Sequence, residues 1–290
     1  MQPAPPSSQP TSPTAPLDEE RLRRQLAGSA IGHTVQVYAS LPSTMPVAAN
    51  LIRRPEVRSG VVVVAEEQTA GRGRHSRSWF APARTALLVS IALKPPHLRL
   101  SASYLPIAAG LAVLDAVSAC VPELSEQFSL KWPNDLLLGP APAEAGKVAG
   151  ILIETVLDAQ GHLAYAVIGC GINANQTADE LPQVAPPAPP PMSLRLARGA
   201  PVDRTDLLIH LCRALGPWLA TPADGLLAAW RARLSTLGQP IAVYEQGQTT
   251  PLLTGLAVDV DASAVLVVQD AEGVRHAIHA GEVSLRPFDG

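Results

Sequence analysis

Gly71-Arg72-Gly73-Arg74-His75-Ser76-Arg77-Ser78-Trp79 alternates two glycines with two arginines, a few residues after an apolar run, Val61–Ala65, that reads as a buried strand. Glycine lets backbone N–H groups approach a ligand closely, because no Cβ intervenes. Arginine offers a planar fork of donors matched to carboxylate and phosphate oxygens. Interleaved, they form a cationic loop able to close over a small anion. Like-charged arginines with no anion have little to hold them, so the loop is expected to be mobile when empty and ordered when filled. Solvated surface loops share this composition, and the residues farther along decide between the two.

Three more clusters follow. Leu130-Lys131-Trp132-Pro133-Asn134-Asp135 sets a cation, an amide and a carboxylate around a rigid proline. Asp135 suits a magnesium ion, a nucleophile or a proton, although Pro-Asn-Asp is also ordinary turn chemistry and Trp132 suits a core. Gly146-Lys147-Val148-Ala149-Gly150-Ile151-Leu152 puts one lysine at the mouth of an apolar strand. There an ammonium can neutralise charge developing on an acyl or phosphate oxygen, or simply snorkel to water. Gly150 within the strand points to close approach of a ligand or another backbone. Ile168-Gly169-Cys170-Gly171-Ile172-Asn173 pairs glycines at a strand end, and Asn173 offers both a donor and an acceptor to a heterocycle edge or to a local turn.

Two nucleotide motifs are excluded. Gly71-x-Gly73-x-x-Ser76 falls one glycine short of the dinucleotide fingerprint and carries arginines where small side chains are needed. No G-x-x-x-x-G-K-[ST] occurs, so a P-loop is absent. The 290 residues are 47% hydrophobic, enough for a real core, and a net charge of -3 excludes a general polyanion binder. The reading is therefore no nucleic-acid partner and no membrane: no apolar run is expected to reach the roughly 20 residues of a bilayer span, and no secretory signal is visible. Cys120, Cys170 and Cys212 are odd in number and widely spaced, as for reduced thiols in a cytoplasmic protein.

Residues 1–26 read as a disordered Pro/Ser-rich tail, Met1–Pro16, with a short helix from Leu17 to about Leu26. Residues 27–236 read as a mixed α/β domain: strands at Val35–Tyr38, Val61–Ala65, Leu87–Leu93, Leu136–Leu138, Val148–Val156 and Leu163–Gly169, and helices at Met45–Arg53, Ile107–Cys120, Asp203–Leu219 and Ala223–Leu234. Gln183–Pro191 reads as a proline-rich surface loop. Residues 237–290 carry short strands between Gly, Asp and Gln, the pattern of a small β-barrel.

Taken in order, the four clusters, with Ser43-Thr44 and Gln68 before them, closely resemble biotin–protein ligases: GRGRxxRxW, KWPND, K-[LV]-AGIL and IGxGIN all occur. The match covers about Val35 to Asn175, with a weaker echo at Gly281–Arg286. The resemblance implies an α+β chain: a class II aminoacyl-tRNA-synthetase-like catalytic domain followed by an SH3-like C-terminal domain. It implies biotin, ATP and Mg2+ as ligands, biotinyl-5′-AMP as intermediate, and a lysine of a biotin carboxyl carrier protein as acceptor; a homodimer is compatible with it. By position, Ser43, Thr44 and Gln68 would bind the ureido head of biotin. Arg72 and Arg74 with the intervening Gly73 would hold its carboxylate and the adenylate phosphate, and Gly71 beside them belongs to the ligand-contacting set. Lys147 would stabilise the acyl-phosphate oxygens, Asn173 would meet adenine, and Asp135 would assist the acceptor lysine or the metal. Met45, Trp79, Lys131, Trp132, Asn134, Gly150 and Gly171 complete the ligand-contacting set; Lys147, Arg72, Arg74 and Asp135 are the catalytic ones. Met45 stands where the family carries asparagine, and His75-Ser76 where Arg-Gly is common. By this reading the chain is expected to lack the DNA-binding domain of bifunctional members. Two rival readings remain: a lipoate–protein ligase-like acyl-adenylate transferase, expected to carry an Arg-x-x-Gly-Gly-Gly loop that is missing here, and a non-catalytic sensor of biotin or nucleotide.

Overall fold

The computed structural model describes residues 12–142, 144–185, 188–245, 248, 250–279 and 283–287. Its larger sheet comprises β1 (Val35–Tyr38), β2 (Val61–Ala65), β3 (Ala86–Leu93), β4 (Phe128–Lys131), β5 (Asp135–Leu138), β6 (Gly146–Leu157) and β7 (Leu163–Asn173). In space they run β1-β2-β3-β7-β6-β5-β4, parallel between β1 and β2 and antiparallel elsewhere. The helices are α1 (Glu19–Leu26), α2 (Thr44–Ile52), α3 (Leu105–Cys120), α4 (Leu194–Arg198), α5 (Arg204–Ala220) and α6 (Ala223–Arg231).

Strands β2 and β3 are buried on both faces, and the period of two divides their side chains between two cores. Val62 and Val64 of β2 join Leu87, Val89 and Ile91 of β3 beneath α3 and α5. Val61 and Val63 face the other way, against Met45, Ala48, Leu51 and Ile52 of α2. A run of valines with no polar position is what such a strand requires. Ala102–Cys120, which contains α3, is long and apolar enough to cross a membrane, contrary to the sequence expectation. Most of it is buried, and α3 packs along α5, which accounts for its unbroken apolar surface.

Ser12–Pro16 also departs from expectation. Rather than belonging to a disordered tail, this segment is tied down: Asn175 Nδ2 donates to Pro13 O (3.1 Å) and Arg204 donates to Ala15 O (2.6 Å). Leu17 N donates to Glu66, whose other carboxylate oxygen lies 2.7 Å from Arg204. Leu22 and Leu26 then bury the inner face of α1, and Asp18 caps its first turn. Backbone groups next to a buried ion pair find partners there, and that outweighs the segment's poor composition.

The C-terminal sheet comprises β8 (Pro240–Glu245), β9 (Leu253–Val260), β10 (Leu266–Gln269), β11 (Arg275–Ile278) and β12 (Val283–Pro287), in the order β11-β10-β9-β8-β12 and antiparallel throughout. It sits against the larger domain through Arg231 Nε to Asp259 (2.9 Å) and Tyr104 to the Ala262 carbonyl. Of the weak motif echo at its end, Gly281 and Glu282 lie outside the described residues.

Candidate functional site

A cavity of about 540 Å³ opens on the α2 face of the large sheet. Every residue assigned from the four clusters and from Ser43 to Gln68 lines it except Gly71, which braces the loop from behind. The cavity forms because β6 and β7 present glycine where they pair: Gly150 lies opposite Gly171, and Gly169 faces Met45.

One end is polar and small. Ser43 enters α2 in extended conformation with no capping bond from its side chain, so its hydroxyl is uncommitted to the helix. Gln68 Oε1 accepts from Thr44 N (2.8 Å) and Thr44 Oγ1 (3.1 Å), which leaves Nε2 as the donor end of the amide. Thr44 Oγ1 also lies 2.7 Å from Ser90 Oγ. Ser90, fully buried, lines the cavity and was missed in the sequence; the one hydroxyl in the apolar run Ala86–Leu93 was its only signal. Met45, at the position where the family carries asparagine, packs its thioether against Gly169 instead of offering an amide.

The Gly71–Trp79 loop is braced by its own backbone hydrogen bonds. Gly73 N donates to Arg77 O (2.7 Å), Trp79 N to Gly71 O (2.9 Å), and Arg72 bridges to Ser78. A Cβ on Gly71 would meet Trp79 O at 2.3 Å, so the crossing requires glycine. The two arginines part ways. Arg72 reaches Glu154 at 2.9 Å on the rim, with nearly half of each side chain exposed. Arg74 turns inward, donating to Asn134 Oδ1 (3.2 Å), and burial pulls its pKa down.

The Lys131–Asp135 segment is a turn between β4 and β5, not an isolated loop. Asn134 bonds Ile151 of β6 twice, through Nδ2 to O (2.8 Å) and from Ile151 N to Asn134 O (2.9 Å). That places Asp135 Oδ1 2.7 Å from Lys147 Nζ, an ionic contact without hydrogen-bond alignment. Lys147 Nζ also sits 5.5 Å from the centroid of the Trp79 ring. Lys131 is depressed in pKa by burial, opposed by Asp135, with Lys147 and Arg77 adding to the depression. Against five cations, Arg72, Arg74, Arg77, Lys131 and Lys147, Asp135 is the only carboxylate among the described lining residues. Such a surplus fits a polyanionic ligand.

Asn173 lies deep in the cavity. It is 4% exposed, its Oδ1 accepts from Gln176 (2.8 Å) and its Nδ2 points to Lys147 O (3.4 Å). Both ends of the amide thus serve the fold. The segment expected to be a surface loop forms a cavity wall instead: Pro182, Val184, Pro189 and Pro191 line it. Beyond the end of β7 it takes that strand's place beside Lys147, with Lys147 N donating to Pro190 O (2.7 Å) and Met192 N to Lys147 O (2.9 Å).

Among the described residues, no three His, Cys, Asp or Glu side chains converge. Asp135 faces a lysine, so the residues do not fit a resident metal; a divalent ion suits this cavity only as part of a metal–triphosphate, with phosphate oxygens as ligands.

Residues 37–173 match the biotin/lipoate A/B protein ligase family, and residues 236–286 match the biotin protein ligase C-terminal domain. The chain is 36% identical over 278 residues to a biotin–[acetyl-CoA-carboxylase] ligase of Mycobacterium tuberculosis, covering 92% of this chain and 95% of the relative. A ligase of the same description from Paracoccus denitrificans is 36% identical over 234 residues, covering 79% and 92%. In structure, the chain is similar to biotin protein ligase from Aquifex aeolicus in complex with biotin and ATP (TM-score 0.68, 25% identity, 88% and 99% covered).

Proposed function

The chain belongs to the biotin/lipoate A/B protein ligase family, and we propose that it activates biotin with ATP as biotinyl-5′-AMP and transfers the biotinyl group to a lysine of a biotin carboxyl carrier protein. The observation that carries this reading is the cation-rich cavity with Lys147 and Arg74 at its centre and a small polar end at Thr44 and Gln68.

In the first step a biotin carboxylate oxygen bonds to the α-phosphorus of ATP. The bond from that phosphorus to the bridging oxygen breaks, and pyrophosphate leaves. Ser43, Thr44 and the Nε2 end of Gln68 orient the ureido head, with Ser90 fixing Thr44 from behind; Met45 supplies apolar contact. Arg74 and Lys147 meet the charge that develops on the acyl and α-phosphate oxygens. Lys131 and Arg77 add charge toward the remaining phosphates, and Mg2+ enters with the nucleotide. Arg72 exchanges Glu154 for the anion or closes the rim. The buried Nε1–H of Trp79, which has no hydrogen-bond partner, is a further donor for a ligand oxygen.

In the second step an uncharged lysine amine bonds to the acyl carbon, the bond from that carbon to the phosphate oxygen breaks, AMP leaves and the surplus proton passes to solvent. Asp135 draws the incoming amine toward Lys147. Asn173 holds Gln176 and Lys147 O with one amide hydrogen and one lone pair to spare, and those meet the adenine edge. Three free thiols support a cytoplasmic site of action.

The test is isotope exchange between pyrophosphate and ATP. Biotin should drive it and lipoate should not; exchange with lipoate alone would assign the chain to the other branch of the family, and exchange with neither would leave only a sensor.

A further inference from the structure

The strand that carries Lys131 has a partner on its outer edge that comes from outside the sheet. Leu130 N donates to Arg233 O (2.7 Å), and Leu130 O accepts from Ser235 N (2.8 Å) and Ser235 Oγ (3.1 Å). Leu130 and Leu234 form a parallel bridge. One residue on, Trp132 N donates to the side chain of Thr236, to Oγ1 at 2.9 Å. Both groups are sealed from water, with Trp132 2% and Thr236 5% exposed. Thr236 lies at the start of the segment matched by the C-terminal domain, 104 residues from its partner.

The Lys131–Asp135 turn is therefore held from two sides. Asn134 ties its far end to β6 through Ile151, and Thr236 ties its near end to the junction with the C-terminal sheet. Asn134, itself one of those anchors, receives Arg74, and Asp135, the next residue, meets Lys147. A backbone N–H buried at that point has no water to turn to, so without the hydroxyl the turn shifts to find an acceptor.

We propose that Thr236 is a positioning residue: its hydroxyl fixes the Trp132 amide and, through it, sets Lys131 and Asp135 against Lys147, so that the C-terminal segment completes the site of the large sheet. This rests on the ligase reading of that cavity. Biotin itself is held at the far end by Thr44 and Gln68, so its binding is independent of Thr236.

The experiment compares Thr236→Val, isosteric without the acceptor, with Thr236→Ser, which keeps the oxygen, in the full-length chain. Biotin-dependent pyrophosphate exchange is measured per active site, counted by tight-bound adenylate. Thr236→Val should lower kcat about tenfold, the effect of one buried hydrogen bond near 1.4 kcal/mol, with KM for biotin within about twofold of wild type. Thr236→Ser should retain kcat. Ser235→Ala removes a bond from the same added strand without touching Trp132 and should lower Tm while leaving kcat unchanged. Should Thr236→Val fail to fold, Thr236→Ala makes the same comparison with less disturbance of packing. A Thr236→Val or Thr236→Ala enzyme with lowered Tm and wild-type kcat per site overturns the proposal, as does an equal loss in Ser235→Ala. Failure of the wild-type chain to exchange at all would instead strike the ligase reading.

Discussion

The indole of Trp79 rests on Gly171: a Cβ at position 171 would come within 2.5 Å of the ring, and one on its cross-strand partner Gly150 within 2.9 Å. Two glycines on neighbouring strands thus make a floor for a ring that in turn lies beside the Lys147 ammonium. Gly171→Ala should lift the indole and disorder Lys147. Adenylation is expected to fall at least about tenfold, with a stability loss of about 1–3 kcal/mol from overpacking. Unchanged pyrophosphate exchange in this variant would mean that the ring has freedom elsewhere in the cavity.

Lys147→Ala removes one electrophilic donor and should slow adenylation roughly a hundredfold or more. The side chain sits at a strand end with little packing, so the melting temperature should stay close to wild type. Rapid-quench measurement of biotinyl-adenylate formation checks the first, and calorimetry the second.

Arg74 and Asn134 act together, because the amide oxygen of Asn134 receives the guanidinium. Arg74→Gly loses a charge-assisted contact of about 1.5–3 kcal/mol, so biotinyl-adenylate should escape and acylate bystander lysines such as those of albumin. Asn134→Ala should leak less, since the arginine remains but is no longer aimed. An avidin blot of albumin added to the reaction reads both. Equal confinement to the carrier in both variants would sink the assignment of Arg74 as the lid.

Arg204 and Glu66 form a buried pair, 3% and 8% exposed, that also holds the Ala15 carbonyl and the Leu17 amide. Arg204→Met strands the carboxylate and should cost about 3–5 kcal/mol in urea unfolding. Replacing both partners with methionine should recover a good part of that loss. A single variant within about 1 kcal/mol of wild type would indicate that water reaches Glu66.

Burial pushes the Cys170 and Cys212 thiols up to about 12, with Cys170 adding to the effect on Cys212. The thiolate forms only as pH rises through that value, so at pH 8 only about one thiol in ten thousand is ionised. Native protein should leave both cysteines unlabelled by iodoacetamide at pH 8, and denatured protein should label them. Mass spectrometry of tryptic peptides decides the matter.

The four clusters, their order and the strands that carry them were legible without coordinates, because each depends on local chemistry. A run of valines makes a buried strand, glycines mark close approach, and alternating arginines announce an anion. The resemblance those four motifs carry named the family, and residue types at short spacing singled out groups that line the cavity. What the chain could not disclose locally was which of those groups would face one another. Arg72 and Arg74 look equivalent in sequence, yet Glu154 of β6 takes one and Asn134, tied to β6 through Ile151, takes the other. Ser90, the proline-rich wall and the anchoring of Ser12–Pro16 share that origin: each is a polar or backbone group whose partner lies far away in the chain. Local sequence determined what chemistry this protein carries; long-range pairing, driven by the cost of leaving buried polar groups without partners, decided which of its residues face the cavity and which hold the others in place.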